Sequence, residues 1–268
     1  LNNLFKYDLR QIEQVENELP FIRECYESSS VLIKQLYGAR FYATYKNRIV
    51  ACNGYFKDDP LNPETLDQFL ALNKCFINSL HKVSLNKKES KIIDIGCGSA
   101  TQLISLVSLG FDQDNLFGID INKADIDFAE KNYPLLNLSW QDATNLSFKN
   151  NYFDLTYEST MFVQITNNKI SQKIANEMIR ITKKGGYLIL FDWRYGKFNN
   201  TNFLACSKKR IEELFKVDKS TKLISIEKGM LIPPIGRFLS KNMSSMYFVF
   251  SKLFPFFIGQ VAYILQKK

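Results

Sequence analysis

The stretch Ile92-Ile93-Asp94-Ile95-Gly96-Cys97-Gly98-Ser99-Ala100-Thr101 sets an apolar strand directly against a Gly-x-Gly turn that opens a helix. The two glycines let the backbone turn tightly and approach a ligand closely. The carboxyl end of such a strand is where doubly wound sheets open a crevice for nucleotides.

Outward from this turn, short apolar strands alternate with helices. The spacing predicts strands over 91–95, 116–121, 136–140, 153–157 and 187–191, with helices over 100–109, 124–132 and 169–182. Lys184-Gly185-Gly186 reads as a turn before the fifth strand. A helix over 208–215 and strands over 222–227 and 260–265 complete the pattern. The expected fold class is α/β, with a doubly wound, mostly parallel seven-strand sheet and helices on both faces. Residues 1–88 read as an N-terminal helical extension or lid, with helix-like spacing over 12–25 and 65–81. Residues 89–268 form the second domain, and residues 238–257 an aromatic, helical insertion between its last two strands.

The chain of 268 residues is 46% hydrophobic and 23% charged, with 22 Phe, which is the composition of a packed globule. Five scattered cysteines and the single His81 show no zinc-ligand spacing, so no metal site is expected. Acidic residues interrupt every apolar run in residues 1–20, which argues against a secretory leader there. A reducing, cytoplasmic setting is expected. The net charge of +8 is localised: residues 205–268 carry twelve Lys/Arg against four Asp/Glu, and residues 1–204 carry 23 of each. A local basic excess fits an anionic partner or a lysine-rich solvated surface.

Two cofactor classes compete for the glycine turn. A dinucleotide fingerprint asks for a third glycine where this chain has Thr101, and it sets a pyrophosphate on the helix N-terminus. The acid just before the turn, Asp94, repels a pyrophosphate. It suits the cationic ammonium and sulfonium of S-adenosylmethionine (SAM). Asp120 lies at the tip of the next strand, where a carboxylate can accept ribose hydroxyls. Asp142 follows the third strand, and an acid there is not part of the minimal dinucleotide fingerprint.

With these pieces in order, residues 91–268 resemble the Rossmann-like, seven-strand family of SAM-dependent methyltransferases. The matching motifs are Asp94-Ile95-Gly96-Cys97-Gly98, Asp120, Gln141-Asp142-Ala143, Phe153-Asp154-Leu155 and Arg180-Ile181-Thr182-Lys183-Lys184-Gly185-Gly186. The resemblance implies a site for SAM, with S-adenosylhomocysteine as product and no metal. Asp94 and the loop Gly96, Cys97, Gly98, Ser99 would lie against the methionine and ribose. Asp120, with Ile121 beside it, would hold the ribose, and Asp142 with Ala143 the adenine. Glu158 and Ser159, at the tip of the fourth strand, would face the methyl group. Cys97 reads as a small turn residue and not a nucleophile. His81 reads as a surface residue, and Asp154 as structural. Where base amino-methylating relatives carry Asn/Asp-Pro-Pro-aromatic, this chain has Glu158-Ser159-Thr160-Met161, which argues against that chemistry.

A hydroxyl acceptor also needs a base, for which Glu158 and Asp192 are the candidate catalytic residues, with Tyr157, Trp193, Arg194 and Tyr195 as walls. Residues 37–42 read as a segment closing over the cofactor, with Arg40 near its carboxylate. The stretch 238–263 carries eight aromatics with Lys241 and Lys252. Lys252 and Pro255 in its middle make it a poor membrane span. It suits either core packing over the sheet or a peripheral contact with an anionic membrane. The expected function is O-methylation of a saccharide or of a lipid-linked or lipid-like acceptor. The alternatives are a methyltransferase of a soluble small molecule and a non-catalytic SAM-binding module. No nucleic-acid reading module is visible.

Overall fold

The computed structural model describes two short strands at residues 42–45 and 48–51 and then residues 62–196 and 203–268. The chain divides into two compact units. One comprises Leu1–Phe69 with Gly236–Tyr247, the other Leu70–Ile235 with Phe248–Lys268.

In the first unit, β1 (Tyr42–Tyr45) and β2 (Arg48–Ala51) pair antiparallel, with Tyr42 opposite Ala51 and Tyr45 opposite Arg48. These two strands add a short β-ladder to a region whose expected helix before Tyr42 lies outside the described residues. Tyr-Ala-Thr-Tyr and Arg-Ile-Val-Ala are rich in aromatic and β-branched residues, which fit a pleated surface better than a helix. The segments expected as a helix over 12–25 and as a lid around Arg40 lie outside the described residues. Helix α1 (Leu66–Leu80) starts in this unit. There the Asp67 amide donates to Ser240 Oγ at 3.1 Å, and Lys241 pairs with Glu64 at 2.8 Å.

The second unit is built on a seven-strand sheet. Its strands are β3 (Ile92–Ile95), β4 (Leu116–Asp120), β5 (Asn137–Trp140), β6 (Phe153–Ser159), β7 (Thr182–Trp193), β8 (Thr221–Lys228) and β9 (Gln260–Lys267). Their order is β5-β4-β3-β6-β7-β9-β8. All pairings are parallel except those of β9, which runs antiparallel to both β7 and β8. The four residues of β3 are all buried, as a strand covered on both faces requires.

Helices α2 (Thr101–Ser108) and α3 (Lys123–Asn132) carry the chain from β3 to β4 and on to β5. Helix α4 (Asn168–Ile181) carries it from β6 to β7 on the other side of β3. Right-handed crossovers in opposite directions put these helices on opposite faces. The order of strands therefore switches between β3 and β6, and a crevice opens at that point. Asn122 caps α3 and Asn167 caps α4 through their side chains.

The turn expected at Lys184-Gly185-Gly186 is accommodated inside one long strand. Phe153 faces Thr182 and Leu155 faces Tyr187, so the intervening residues of β7 bulge out, with Gly185 at φ +75°. Helix α5 (Lys208–Leu214) precedes β8, and between β8 and β9 come α6 (Pro233–Asn242), α7 (Ser244–Leu253) and a short 3-10 turn at Pro255–Phe257. The insertion between the last two strands is thus helical, as the sequence suggests.

Candidate active site

The turn after β3 is held by backbone geometry. Gly96 and Gly98 have φ of +78° and +51°, in the left-handed region that glycine occupies without strain. The amides of Gly96 and Cys97 both donate to the Ile119 carbonyl, at 2.8 and 2.9 Å. Ala100, at φ +64° and fully buried, completes the turn before α2. A Cβ on Gly96 would sit 3.3 Å from Met161 Sδ, so the Met161 side chain closes the space over the turn.

Asp120, at the tip of β4, uses both oxygens on the local backbone. Oδ2 accepts the Gly98 amide and Oδ1 the Asn122 amide, each at 2.8 Å. Burial raises its pKa, and these amide hydrogen bonds pull the other way. Each carboxylate oxygen keeps a second lone-pair direction for a ribose hydroxyl.

Asp94 is the residue with the sharpest electrostatic problem. It is buried, and its Oδ1 has no hydrogen-bond partner. Burial, reinforced by the charge of Asp120, pushes its pKa up to about 8, while the Tyr157 hydroxyl favours the ionised form. That hydroxyl lies close to Asp94 without a well-formed hydrogen bond and is itself unpartnered. A buried acceptor left open in this way costs free energy until a donor or cation reaches it. Cys97 is buried beside this group, and burial followed by the Asp94 charge raises its thiol pKa far above normal. An inert thiol is the result.

At the other end of the turn, Ile121 and Trp140 are both exposed, and the Trp140 indole N–H donates to the Ile121 carbonyl at 2.8 Å. Asp142 is exposed, and its Oδ1 accepts the Thr144 amide at 2.8 Å, forming a side-chain turn; Ala143 is half-buried. The loop after it is tied to α4. Arg180 donates to the carbonyls of Leu146 and Phe148 and pairs with Glu177, which in turn accepts the Leu146 amide.

The tips of β6 and β7 bring Glu158 and Asp192 together, both fully buried. Glu158 Oε2 accepts the Met161 amide at 2.8 Å, and Oε1 has no partner. Burial and then the charge of Asp192 raise the Glu158 pKa well above the usual carboxylate range. Asp192 differs. Its Oδ1 accepts the Trp193 amide at 2.7 Å, and its Oδ2 accepts the Val163 amide at 2.8 Å and the Cys206 thiol at 3.2 Å. Burial pushes its pKa up to about 6 against these hydrogen bonds. Ser159 is half-buried, and the following Thr160 is strained at φ +63°.

Sequence reasoning missed Cys206 and Arg210. The Arg210 guanidinium donates to the carbonyls of Phe162, Leu204 and Ile165 and to Ser171 Oγ, pinning the loops that flank Asp192. Cys206 meets Asp192 only through the fold, and no local pattern announces it. His81 is exposed at the end of α1, matching its surface reading. Asp154 is structural: it accepts the Lys91 amide at 2.8 Å and pairs with Lys183 at 2.7 Å.

The turn suits SAM on chemical grounds. A partnerless buried carboxylate oxygen beside two left-handed glycines asks for a cation that approaches the backbone closely. Among the described residues, no group of three or more His, Cys, Asp or Glu is placed to hold a metal ion.

Known proteins agree with this geometry. The family model for the methyltransferase domain matches residues 86–228, more than half of the chain. Two curated relatives, both named demethylmenaquinone methyltransferase, are similar over part of it. The one from Streptomyces avermitilis is 29% identical over 105 residues, 39% of this chain and 43% of that protein. The one from Paenarthrobacter aurescens is 28% identical over 109 residues, 41% of each. The chain therefore spans less than half the length of these relatives. Among solved structures, the PH0226 protein of Pyrococcus horikoshii aligns with a TM-score of 0.55 at 17% identity, over 81% of this chain and 99% of that one. A geranyl diphosphate C-methyltransferase from Streptomyces coelicolor, solved with S-adenosyl-L-homocysteine, aligns with a TM-score of 0.54 at 13% identity, over 73% and 79%. At these identities the structural likeness speaks for the fold. The chain belongs to the methyltransferase domain family, with the Rossmann-like seven-strand fold of the SAM-dependent methyltransferases.

Proposed function

We propose that this chain transfers the methyl group of SAM to a hydroxyl of a lipid-like acceptor. The observation that carries the cofactor half is Asp94, whose buried, partnerless oxygen beside the glycine turn is satisfied by a cation. Gly96, Cys97, Gly98 and Ser99 give the backbone surface for the methionine and ribose, and Asp120 with Ile121 the ribose contact. Asp142 and Ala143, with Trp140 across from them, border the adenine end.

SAM, when bound, supplies a methyl group on cationic sulfur; transfer forms the oxygen–methyl bond, breaks the sulfur–methyl bond and leaves that electron pair on S-adenosylhomocysteine. The chain has to align the acceptor and exclude water. It also has to take the hydroxyl proton. Glu158 Oε1, buried and without a hydrogen-bond partner in the chain, is the oxygen of the ionised carboxylate that takes that proton. Asp192, read from the sequence as a second candidate base, acts in this scheme as a positioning residue. Its hydrogen bonds all run to the chain, fixing the Val163 amide and the Cys206 thiol around Glu158. Trp193 packs against Gly259, where a Cβ would meet its ring at 2.7 Å, so this wall is closely packed.

A lipid-like acceptor is supported over a saccharide by two observations. The relatives are named for demethylmenaquinone and the structural neighbour for geranyl diphosphate. The wall after Asp192 is also continuous with exposed aromatic residues of the insertion. The test is SAM turnover with a demethylated quinone in its reduced, hydroxyl-bearing form, a prenyl alcohol and a free saccharide as acceptors, with the methylated atom of the product identified by NMR. Turnover with a lipid-like acceptor that falls roughly a hundredfold in Glu158→Gln, with SAM affinity kept, supports the reading. Turnover with the saccharide alone, or full activity in Glu158→Gln, overturns it.

A further inference from the structure

We infer that the aromatic tip between α7 and β9 docks on a membrane carrying anionic lipids, and so presents a bilayer-borne acceptor to the site. This rests on the lipid-like acceptor proposed above.

The tip is apolar and outward. Leu253 is 66% exposed and Phe256 59%, with Phe254 and Val249 exposed beside them. In water such a patch is unfavourable, and its contiguity marks an interaction surface. Val249 and Leu253 are one helical turn apart, so α7 and the tip share one outward apolar face.

The rings of the tip also pack on one another. Phe250 and Phe254 have ring centroids 4.7 Å apart, Phe250 and Phe257 5.7 Å, and Phe256 and Phe257 4.4 Å. The half-buried rings of Phe250 and Phe257 form a base under the exposed pair. Insertion of an already packed aromatic pair loses little conformational entropy.

The tip is fastened to the acceptor end of the sheet. Arg194, two residues after Asp192, donates to the carbonyls of Ile258 and Pro255, each at 2.6 Å. The Tyr195 hydroxyl donates to the Phe256 carbonyl at 2.8 Å. A surface holding the tip therefore lies next to the end of β7, where the acceptor wall begins.

The charge selects the lipid. From Phe248 to Ile258 the sequence has no Asp or Glu, and it carries Lys252. Lys252 is exposed at the tip itself, and Lys74 stands 5.2 Å over the Phe248 ring. Two exposed lysines beside an apolar tip, with no acid in the tip segment, fit anionic headgroups above an acyl layer. Among the described residues no helix is long and apolar enough to cross a membrane, so the contact is peripheral.

The experiment is co-sedimentation of the full chain with vesicles of phosphatidylcholine alone and of phosphatidylcholine with about one-third phosphatidylglycerol. The wild type is expected to bind the anionic vesicles more tightly. The double variant Phe254→Ser, Phe256→Ser is expected to lose at least about tenfold in binding. Lys252→Glu is expected to lose about fivefold or more. SAM affinity by calorimetry and the thermal midpoint stay unchanged in both variants. No wild-type binding, or equal binding by the double variant, overturns the docking surface. So does a wild-type dimer that the double substitution turns into a monomer, since the patch is then a self-contact. Intact SAM binding without vesicle binding sinks only this inference, whereas loss of SAM binding in the wild type sinks the proposed function itself.

Discussion

The Asp120 carboxylate accepts the Gly98 amide at 2.8 Å, so the acid at the tip of β4 and the glycine turn 22 positions earlier order each other. The same side chain accepts the Asn122 amide and thereby starts α3. Loop shape and the proposed ribose contact thus rest on one carboxylate.

Asp120→Asn keeps the size but leaves a single acceptor oxygen for two amides. A buried N–H without a partner costs about 1–3 kcal/mol. A fall of that size is expected in the urea unfolding free energy, with the slope unchanged. SAM affinity should drop at least about tenfold, since the turn loses its brace. Wild-type affinity in this variant would show that Asp120 does not organise the site.

Asp94 gives a pH signature. Its folded pKa of about 8 lies above the usual 3.8, so the folded state holds a proton that the unfolded state releases. This stability is fully present below about pH 4 and disappears as pH rises through about 8. Asp94→Asn, a neutral mimic, should flatten the stability profile between those limits. A cationic ligand favours the ionised carboxylate, so SAM binding near pH 7 should release a proton. Calorimetry in buffers of different ionisation heat measures the release, which should vanish in Asp94→Asn along with most of the affinity.

Ala100 stands at φ +64° with its methyl fully buried. A left-handed conformation costs a non-glycine residue about 1–2 kcal/mol. Ala100→Gly removes that strain but also loses a buried methyl worth about 0.8 kcal/mol and adds freedom to the unfolded chain. These effects nearly cancel, and the thermal midpoint should move by no more than about 3 °C. Ala100→Val has no such compensation. Its β-branch at positive φ in a closed space should destabilise by at least about 2 kcal/mol.

Arg180 holds the loop that carries Asp142. Removing its side chain leaves the carbonyls of Leu146 and Phe148 without this partner, and Arg180→Ala should cost about 1–3 kcal/mol. Glu177 should report the loss as well. Its hydrogen bond from Arg180 lowers its pKa, so the stability it adds is present above the unfolded value near 4.5 and lost as pH falls through the folded value. The acid limb of the stability profile should therefore soften in Arg180→Ala. Faster hydrogen exchange at the amide of Leu146 gives a local check.

Strands and the mostly parallel character of the sheet were legible because buried apolar runs and glycine stops are local signals. The hairpin at residues 42–51 was not legible, because four-residue strands are too short for periodicity to separate from irregular chain. Gly118 shows the same limit. A Cβ there would come within 2.8 Å of Leu103 and 2.9 Å of Cys97 and Leu138, three neighbours brought in by other elements. Glu158 and Asp192 were found as strand-tip acids, yet nothing local told them apart. The difference comes from Val163 and Cys206, which saturate one carboxylate and leave an oxygen of the other open.

By itself the sequence determined the alternating α/β architecture, the Gly96–Gly98 turn and the acid in front of it. Backbone freedom, apolar period and the sign of a charge are properties of a few adjacent residues. Only the tertiary structure decided which buried oxygen lacks a partner, which carboxyls hold protons and which aromatic rings face outward. Those depend on desolvation and on hydrogen-bond donors summed over distant parts of the chain, and no short stretch contains that sum.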